Sequence, residues 1–270
     1  MLSLQSTAAL SFAGAPMRAM PSRAGAPVME TEADLQALAQ KLNPTVGYYN
    51  PTSLAEMEFW GQSQEATIGW LRQAEIKHGR VAMFAFVGYC VQANGIHFPW
   101  DLTTSGISFG DISAAGSPQA QWDALPTNSK LQIVIVIGFF EWWSENSRVL
   151  GFNGEKHYMR GGKPGYFPPF NGGKGTEGGI PHPTLNYFDP FGLSAKASPE
   201  KKAKGLLAEI NNGRLAQIGI MAFMAEAKVP GSVPALKGIV TPYSGECMSF
   251  FSESDSALPY VKDMLGVSPF

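Results

Sequence analysis

Three stretches of the chain carry apolar residues densely enough to form long helices, and charge confines the second and third to short uncharged runs. From Val81 to Trp100 there is no Asp, Glu, Lys or Arg. An uncharged window of about 20 residues is the length a helix needs to cross a bilayer. A second stretch runs from Leu131 to Phe140 (L-Q-I-V-I-V-I-G-F-F) and continues through Glu141, Trp142 and Trp143 toward Arg148. A third extends from Leu206 to Val229, with only Leu215 to Ala225 free of charge. By hydropathy alone the last two are short, since about ten apolar residues more often mark a buried helix of a soluble protein.

The charges between the stretches alter that reading. The connection from Asp101 to Ser129 has no Lys or Arg, whereas the one after the second stretch carries Lys156, Arg160, Lys163, Lys174, Lys196, Lys201, Lys202 and Lys204. Lys41, Arg72 and Lys77 precede the first uncharged window. Basic residues stay on the side from which a membrane protein inserts. The sequence therefore predicts an all-α membrane protein with three transmembrane helices, over about 70–97, 130–150 and 205–229. The N-terminus would lie on the basic side and the C-terminus opposite. The Gly- and Pro-rich connection from Gly151 to Ser198 is expected to lack regular structure. Thr31 can cap a short amphipathic surface helix carrying Leu35, Leu38 and Leu42, and Ser254 to Leu265 can form another.

Composition adds boundaries and exclusions. Residues 1–29 contain Arg18 and Arg23 but no Asp or Glu, the composition of an organelle-targeting segment; this leaves 30–270 as one domain. A net charge of -2 with dispersed basic residues gives no nucleic-acid face. Cys90 and Cys247 form no disulfide framework or metal pattern and read as packing residues. No nucleophile–base arrangement or phosphate loop supports an enzyme.

The chemistry lies in a repeat. E-I-K-H-G-R-V-A at Glu75 to Ala82 returns as E-I-N-N-G-R-L-A at Glu209 to Ala216, and related turns precede the two copies, Y-Y-N-P-T-S-L at Tyr48 and Y-F-D-P-F-G-L at Tyr187. The first and third helices are thus expected to be pseudo-twofold mates that cross. Each copy brings a Glu and an Arg into or near the apolar layer, where an unpaired charge is costly. Within one helix Glu75 and Arg80 are badly spaced for pairing. Crossed pairs, Glu75 with Arg214 and Glu209 with Arg80, would cancel both charges. Gly79, Ala82, Ala85 and Gly88, mirrored by Gly213, Ala216, Gly219 and Ala222, form rows of small residues that permit close approach.

A magnesium ion held by a macrocycle takes one further axial ligand, and an oxygen or imidazole nitrogen on a rigid helix suits it. Glu75 with His78, and Glu209 with Asn212, offer two such ligands in each copy. Gln92 and Glu226 each follow by 14 residues, within about 40° of the same face, as second-tier ligands. Glu141 is an intramembrane carboxylate and a further candidate. His97, His157 and His182 read as interface or loop residues, and Trp142 and Trp143 as an interfacial belt or as packing for flat rings.

At these motifs the chain resembles the chlorophyll-binding light-harvesting complex family over essentially the whole region after residue 29. H-Y-M-R-G-G-K-P-G-Y-F-P-P-F with K-K-A-K-G-L-L-A-E-I-N-N-G-R-L-A looks most like the antennae of red-lineage plastids. The resemblance implies chlorophyll a with chlorophyll c, peridinin or fucoxanthin, and a diadinoxanthin-type xanthophyll. It places Glu75, His78, Glu141, Glu209 and Asn212 on magnesium-ligand positions, Arg80 and Arg214 in the crossed pairs, and Asn50-Pro51 and Asp189-Pro190 at the ends of two carotenoids. It also implies a plastid thylakoid location with the basic side stromal and the C-terminus lumenal. The implied partners are a photosystem core, photosystem I favoured, neighbouring antenna subunits and thylakoid lipids. Gln217 replaces a usual Met, Glu226 stands where Gln is common, and N-P-T-S-L is a degenerate turn. A photoprotective quencher of the same family and a pigment-free structural membrane protein are the alternative functions.

Overall fold

The computed structural model describes residues 30–170, 191, 193–247 and 249–266. The targeting segment expected over 1–29, the turn at Asp189-Pro190 and His182 lie outside the described residues. Among the described residues the fold is helical, and extended pairing is limited to one isolated bridge between Asp101 and Ser108.

Thr31 caps α1 (Glu32–Leu42) through a reciprocal bond with Asp34, satisfying donors that a helix start leaves open. α2 (Gln64–Ala93) begins at a Ser63 cap and ends where Asn94 and Gly95, at φ +65°, leave the helix. It therefore starts earlier and stops sooner than the span expected over 70–97. The Asp101–Ser129 connection contains two short helices the apolar pattern did not announce, α3 (Phe109–Ser113) and α4 (Pro118–Asp123), each capped by a serine.

α5 (Thr127–Glu145) stops short of residue 150 because Asn146 breaks out and its side chain caps α6 (Ser147–Phe152). α7 (Leu193–Lys196) is a single turn. α8 (Pro199–Lys228) starts at a Ser198 cap with Pro199 in its first turn, where a missing N–H costs nothing. At the C-terminus the helix expected from Ser254 is split into a 3-10 turn, Glu253–Asp255, and α9 (Val261–Gly266). Tyr260, at φ +67°, stands immediately before α9.

α2 and α8 form the body of the molecule. Gly79, Ala82, Gly213 and Ala216 are buried between them, and a side-chain carbon built on Gly213 would stand 2.9 Å from the Cα of Gly79. The rest of the small-residue row is not used in the same way. Ala85 is exposed and Gly88 has nothing within 4 Å. Toward the far ends aromatic rings fill the space instead: Phe86 lies over Gly219, and both Phe86 and Tyr89 stack on Phe223. This packing merges into a small core of Tyr89, Ala227 and Val240.

The described part of the connection expected to be irregular, up to Phe170, is docked on the helices. Its Tyr158–Arg160 turn lies so close to α2 that a side chain on Gly69 would meet the Tyr158 carbonyl at 2.6 Å. Further on, Trp143 is buried, donates to the Pro168 carbonyl at 3.0 Å and stacks on Phe170. Its neighbour Trp142 stays exposed.

A wholly buried ion pair closes the other end. Lys130 Nζ lies 2.6 Å from Asp255 Oδ2, with both side chains at 0% exposure, and it also donates to Ser252 Oγ. Burial alone would raise the Asp255 pKa, but Lys130, the Thr127 hydroxyl and the Ser252 N–H outweigh it and hold the value at about 2. The pair's contribution to stability is therefore complete above the ordinary carboxylate range and is lost as pH falls through about 4 toward 2. Limited proteolysis should show the 249–266 segment protected unchanged from neutral pH to about 4, and released only below that. Release near pH 6 would show that this pair is not what holds the segment.

Among the described residues, no helix is long and apolar enough to cross a membrane by its hydropathy.

Candidate functional site

The repeated motif is assembled at the place where α2 and α8 touch. Arg80 Nε donates to Glu209 Oε1 at 2.6 Å, and Arg214 Nε and Nη2 donate to Glu75 Oε1 at 2.8 and 2.7 Å. Both pairs run between helices because each Arg is one residue beyond reach of the Glu on its own helix, while glycine at Gly79 and Gly213 brings the backbones together.

The two halves differ in their supports. Glu75 Oε2 also accepts from Arg72 at 2.6 Å, and Arg72 in turn bonds Glu30. The Arg72 position is matched in the third helix by Leu206, so Glu209 has no equivalent second arginine there. Instead Arg80 Nη1 donates to the Gly165 carbonyl at 2.7 Å, and the Gly165 N–H donates to Gln73 Oε1 at 2.6 Å. Gly165 sits at φ +77°, and a side chain there would meet Ile76 at 2.9 Å. The G-K-P-G turn is thus a clamp on α2.

Around the paired charges, His78 and Asn212 are exposed on their respective helices. His78 Nδ1 lies 2.8 Å from the Ala74 carbonyl. A carbonyl only accepts, so Nδ1 is the donor, and in the neutral ring the lone pair is on Nε2. In the Asn pair of the second copy, Asn211 binds the Leu42 carbonyl and ties α8 to α1; Asn212 is left facing out.

Other candidates are placed differently. Gln92 is exposed on the last turn of α2, and Glu141 is exposed on α5 with Lys77 Nζ at 2.5 Å. Lys77 also reaches Glu145 at 3.5 Å, linking α2 to α5. Asn50 and Pro51 lie on a turn before α2, where Asn50 Nδ2 is 3.4 Å from Glu56 Oε1.

Glu226, expected as a second-tier ligand, instead points inward. It is 2% exposed, and its two oxygens accept the N–H groups of Gly231 and Val233, each at 2.8 Å. Its geometry is that of a turn support, because the chain reverses directly after α8 and leaves those amides without helical partners.

Among the described residues, no three His, Cys, Asp or Glu side chains gather into a metal cluster. What they offer are single outward ligands beside neutralised charges, which suits a metal that brings its own equatorial donors. The sequence placed Arg72 and Lys77 only among the charges of the basic side, and Gln73 and Gly165 carried no expectation for the site. A positive φ at a K-P-G turn and a Lys inside the repeated motif were the available signals.

Comparison with known proteins decides the family. Residues 34–228 match the model described as chlorophyll A-B binding protein. The chain belongs to that family. It is 31% identical over 221 residues to fucoxanthin-chlorophyll a-c binding protein F, chloroplastic, of Phaeodactylum tricornutum, covering 82% of this chain and 90% of that one. It is 29% identical to a fucoxanthin-chlorophyll a-c binding protein, chloroplastic, of Trieres chinensis, over 71% of this chain and 78% of that one. A Macrocystis pyrifera relative, fucoxanthin-chlorophyll a-c binding protein B, is 29% identical over 81% of this chain and 82% of its own. The matched region contains both copies of the repeat, so α2 and α8 fall within the range the family model matches.

Proposed function

We propose that this chain is a light-harvesting antenna protein that holds chlorophylls and carotenoids in the plastid thylakoid membrane and passes excitation to a photosystem. One observation carries the reading. Beside the crossed ion pairs, α2 presents Val81, Phe84 and Val87, and α8 presents Leu215, Ile218 and Met221, each more than half exposed. These six occupy equivalent positions of the repeat. A doubled apolar stripe flanked by outward His78 and Asn212 is a surface for flat apolar cofactors and lipid, not for water.

The membrane assignment rests on length and pairing rather than on mean hydropathy. Helices of 30, 19 and 30 residues reach roughly 45, 28 and 45 Å at 1.5 Å per residue, against a hydrocarbon core of about 30 Å. Hydropathy counts Glu75, Arg80, Glu209 and Arg214 as full charges, although each is bonded to an opposite charge. We assign the three helices as spans with the N-terminus stromal and the C-terminus lumenal. α5 lacks extensive contact with α2 or α8, and its exposed Ile135, Val136 and Ile137 leave apolar surface between the helices for pigment.

In this reading Glu75, His78, Glu141, Glu209, Asn212 and Gln92 would hold chlorophylls through their magnesium. Arg214 and Arg80 hold the two glutamates in place without leaving excess charge in lipid, and Lys77 does the same for Glu141. The turn at Asn50-Pro51 supports one carotenoid end. Bound chlorophylls and carotenoids supply the absorption and the energy transfer; the chain fixes their spacing and excludes water. The relatives' names support chlorophyll a, chlorophyll c and fucoxanthin as the pigments, with a diadinoxanthin-type xanthophyll added by the sequence resemblance. Neighbouring antenna subunits and a photosystem core, photosystem I on the same resemblance, are the partners.

Protein purified in mild detergent should carry chlorophylls a and c with a major carotenoid. Its fluorescence excitation spectrum should show carotenoid-to-chlorophyll transfer. An intact, colourless protein would overturn the assignment.

A further inference from the structure

Three of the histidines lie among the described residues, and the use of their ring nitrogens separates them. His97 Nδ1 is 3.0 Å from the Phe98 carbonyl, and by the same logic as His78 it carries the proton, leaving the Nε2 lone pair unused by that bond. His157 is the opposite case. Its Nδ1 accepts the Met159 N–H, and its Nε2 donates to Glu145 at 2.7 Å, so both nitrogens are spent. Metal-ligating histidines characteristically have their second nitrogen fixed by a carbonyl or carboxylate. His97 and His78 share that arrangement, although one follows α2 and the other lies within it.

The surroundings of His97 match the histidine. Ile96, Phe98 and Trp100 are each more than half exposed. The Phe98 and Trp100 rings stack at 4.6 Å and 17°, with Phe109 edge-on to Phe98. The Asp101–Ser108 bridge and the Phe109 N–H to Trp100 carbonyl bond pin this shelf, so it is presented rigidly. His97 itself is exposed, and its Cε1–Nε2 edge lies beside Gly110, where an added side-chain carbon would make only ordinary contact at 3.6 and 4.0 Å. A flat apolar shelf next to an available imidazole lone pair fits a planar macrocycle with one open axial position.

We infer that His97 is a further axial ligand for a chlorophyll magnesium, with Phe98, Trp100 and Phe109 as the platform for its ring. The inference rests on the antenna reading above and adds a site at the end of α2 remote from the crossed ion pairs.

The test uses pigmented protein purified in mild detergent with 15N-labelled histidine. Ring-nitrogen NMR of the unaltered protein should show two histidines with magnesium-shifted Nε2 signals. His97→Phe should retain one of them and carry about one chlorophyll fewer per chain. A His97→Phe protein that keeps every magnesium-shifted signal of the unaltered protein, or its full chlorophyll complement, overturns the site, and unaltered pigmented protein with no magnesium-shifted histidine overturns it whether or not the variant folds. Unaltered protein that folds without any chlorophyll overturns this inference and the antenna assignment together, which keeps the two failures distinct.

Discussion

Replacing Arg80 with Leu is expected to cost about 3–5 kcal/mol of stability and to strip the pigment proposed at Glu209. The side chain bonds both Glu209 and the Gly165 carbonyl, so one change leaves a carboxylate and a loop clamp without their partner. The size of the loss also tests the environment. The two side chains are 34% and 26% exposed, and in water a pair this accessible is worth roughly 1 kcal/mol or less. In hydrocarbon no solvent replaces the missing guanidinium, which moves the cost to the higher range. Thermal loss of the pigment circular dichroism signal measures it. The double variant Arg80→Leu with Glu209→Gln should recover part of the stability, because the orphaned charge is gone, but not the native arrangement of the pigment. A loss below about 1 kcal/mol for the single variant would contradict placement of this pair in the membrane.

Gly213→Val should be comparably damaging for a steric reason. The first added carbon falls 2.9 Å from the Gly79 Cα and 3.4 Å from its carbonyl carbon. Backbone cannot swing aside as a side chain can, so the helices must separate. Overpacking of this kind costs about 1–3 kcal/mol, and the branched side chain places it at the upper end or beyond. Separation would also stretch both crossed ion pairs, so pigment content and melting temperature should fall together. Gly88→Ala is the control. That position has nothing within 4 Å, and a helical Gly→Ala exchange there should be neutral or stabilise by up to about 1 kcal/mol. Equal damage from both variants would show that the α2–α8 contact is not what makes Gly213 sensitive.

Much of the motif region could be read directly. Glu75, Arg80, Glu209 and Arg214 repeat with the same spacing, and that spacing forbids pairing within a helix, so their partners had to be sought on the other copy. The His78 and Asn212 positions follow from the same repeat. Pairings between segments without a repeat were not legible. Lys77 with Glu141, Lys130 with Asp255 and Gln73 with Gly165 join residues far apart in the chain, and nothing in their local sequence names the partner. Glu226 shows the reverse failure. Its helical register suggested an outward ligand, but the chain turns back at Gly231 and Val233 and claims both of its oxygens.

By itself the sequence determined the helical class, the two related helices and the charged residues that accompany them, because periodicity and repetition are properties of local order along the chain. Tertiary structure alone decided which end of the small-residue row makes contact, how the turns around Tyr158 and Gly165 dock on α2, and which histidine nitrogens are taken up by hydrogen bonds. Those outcomes depend on backbone proximity and on competition for hydrogen-bond donors between distant segments, and neither is encoded at the residue's own position.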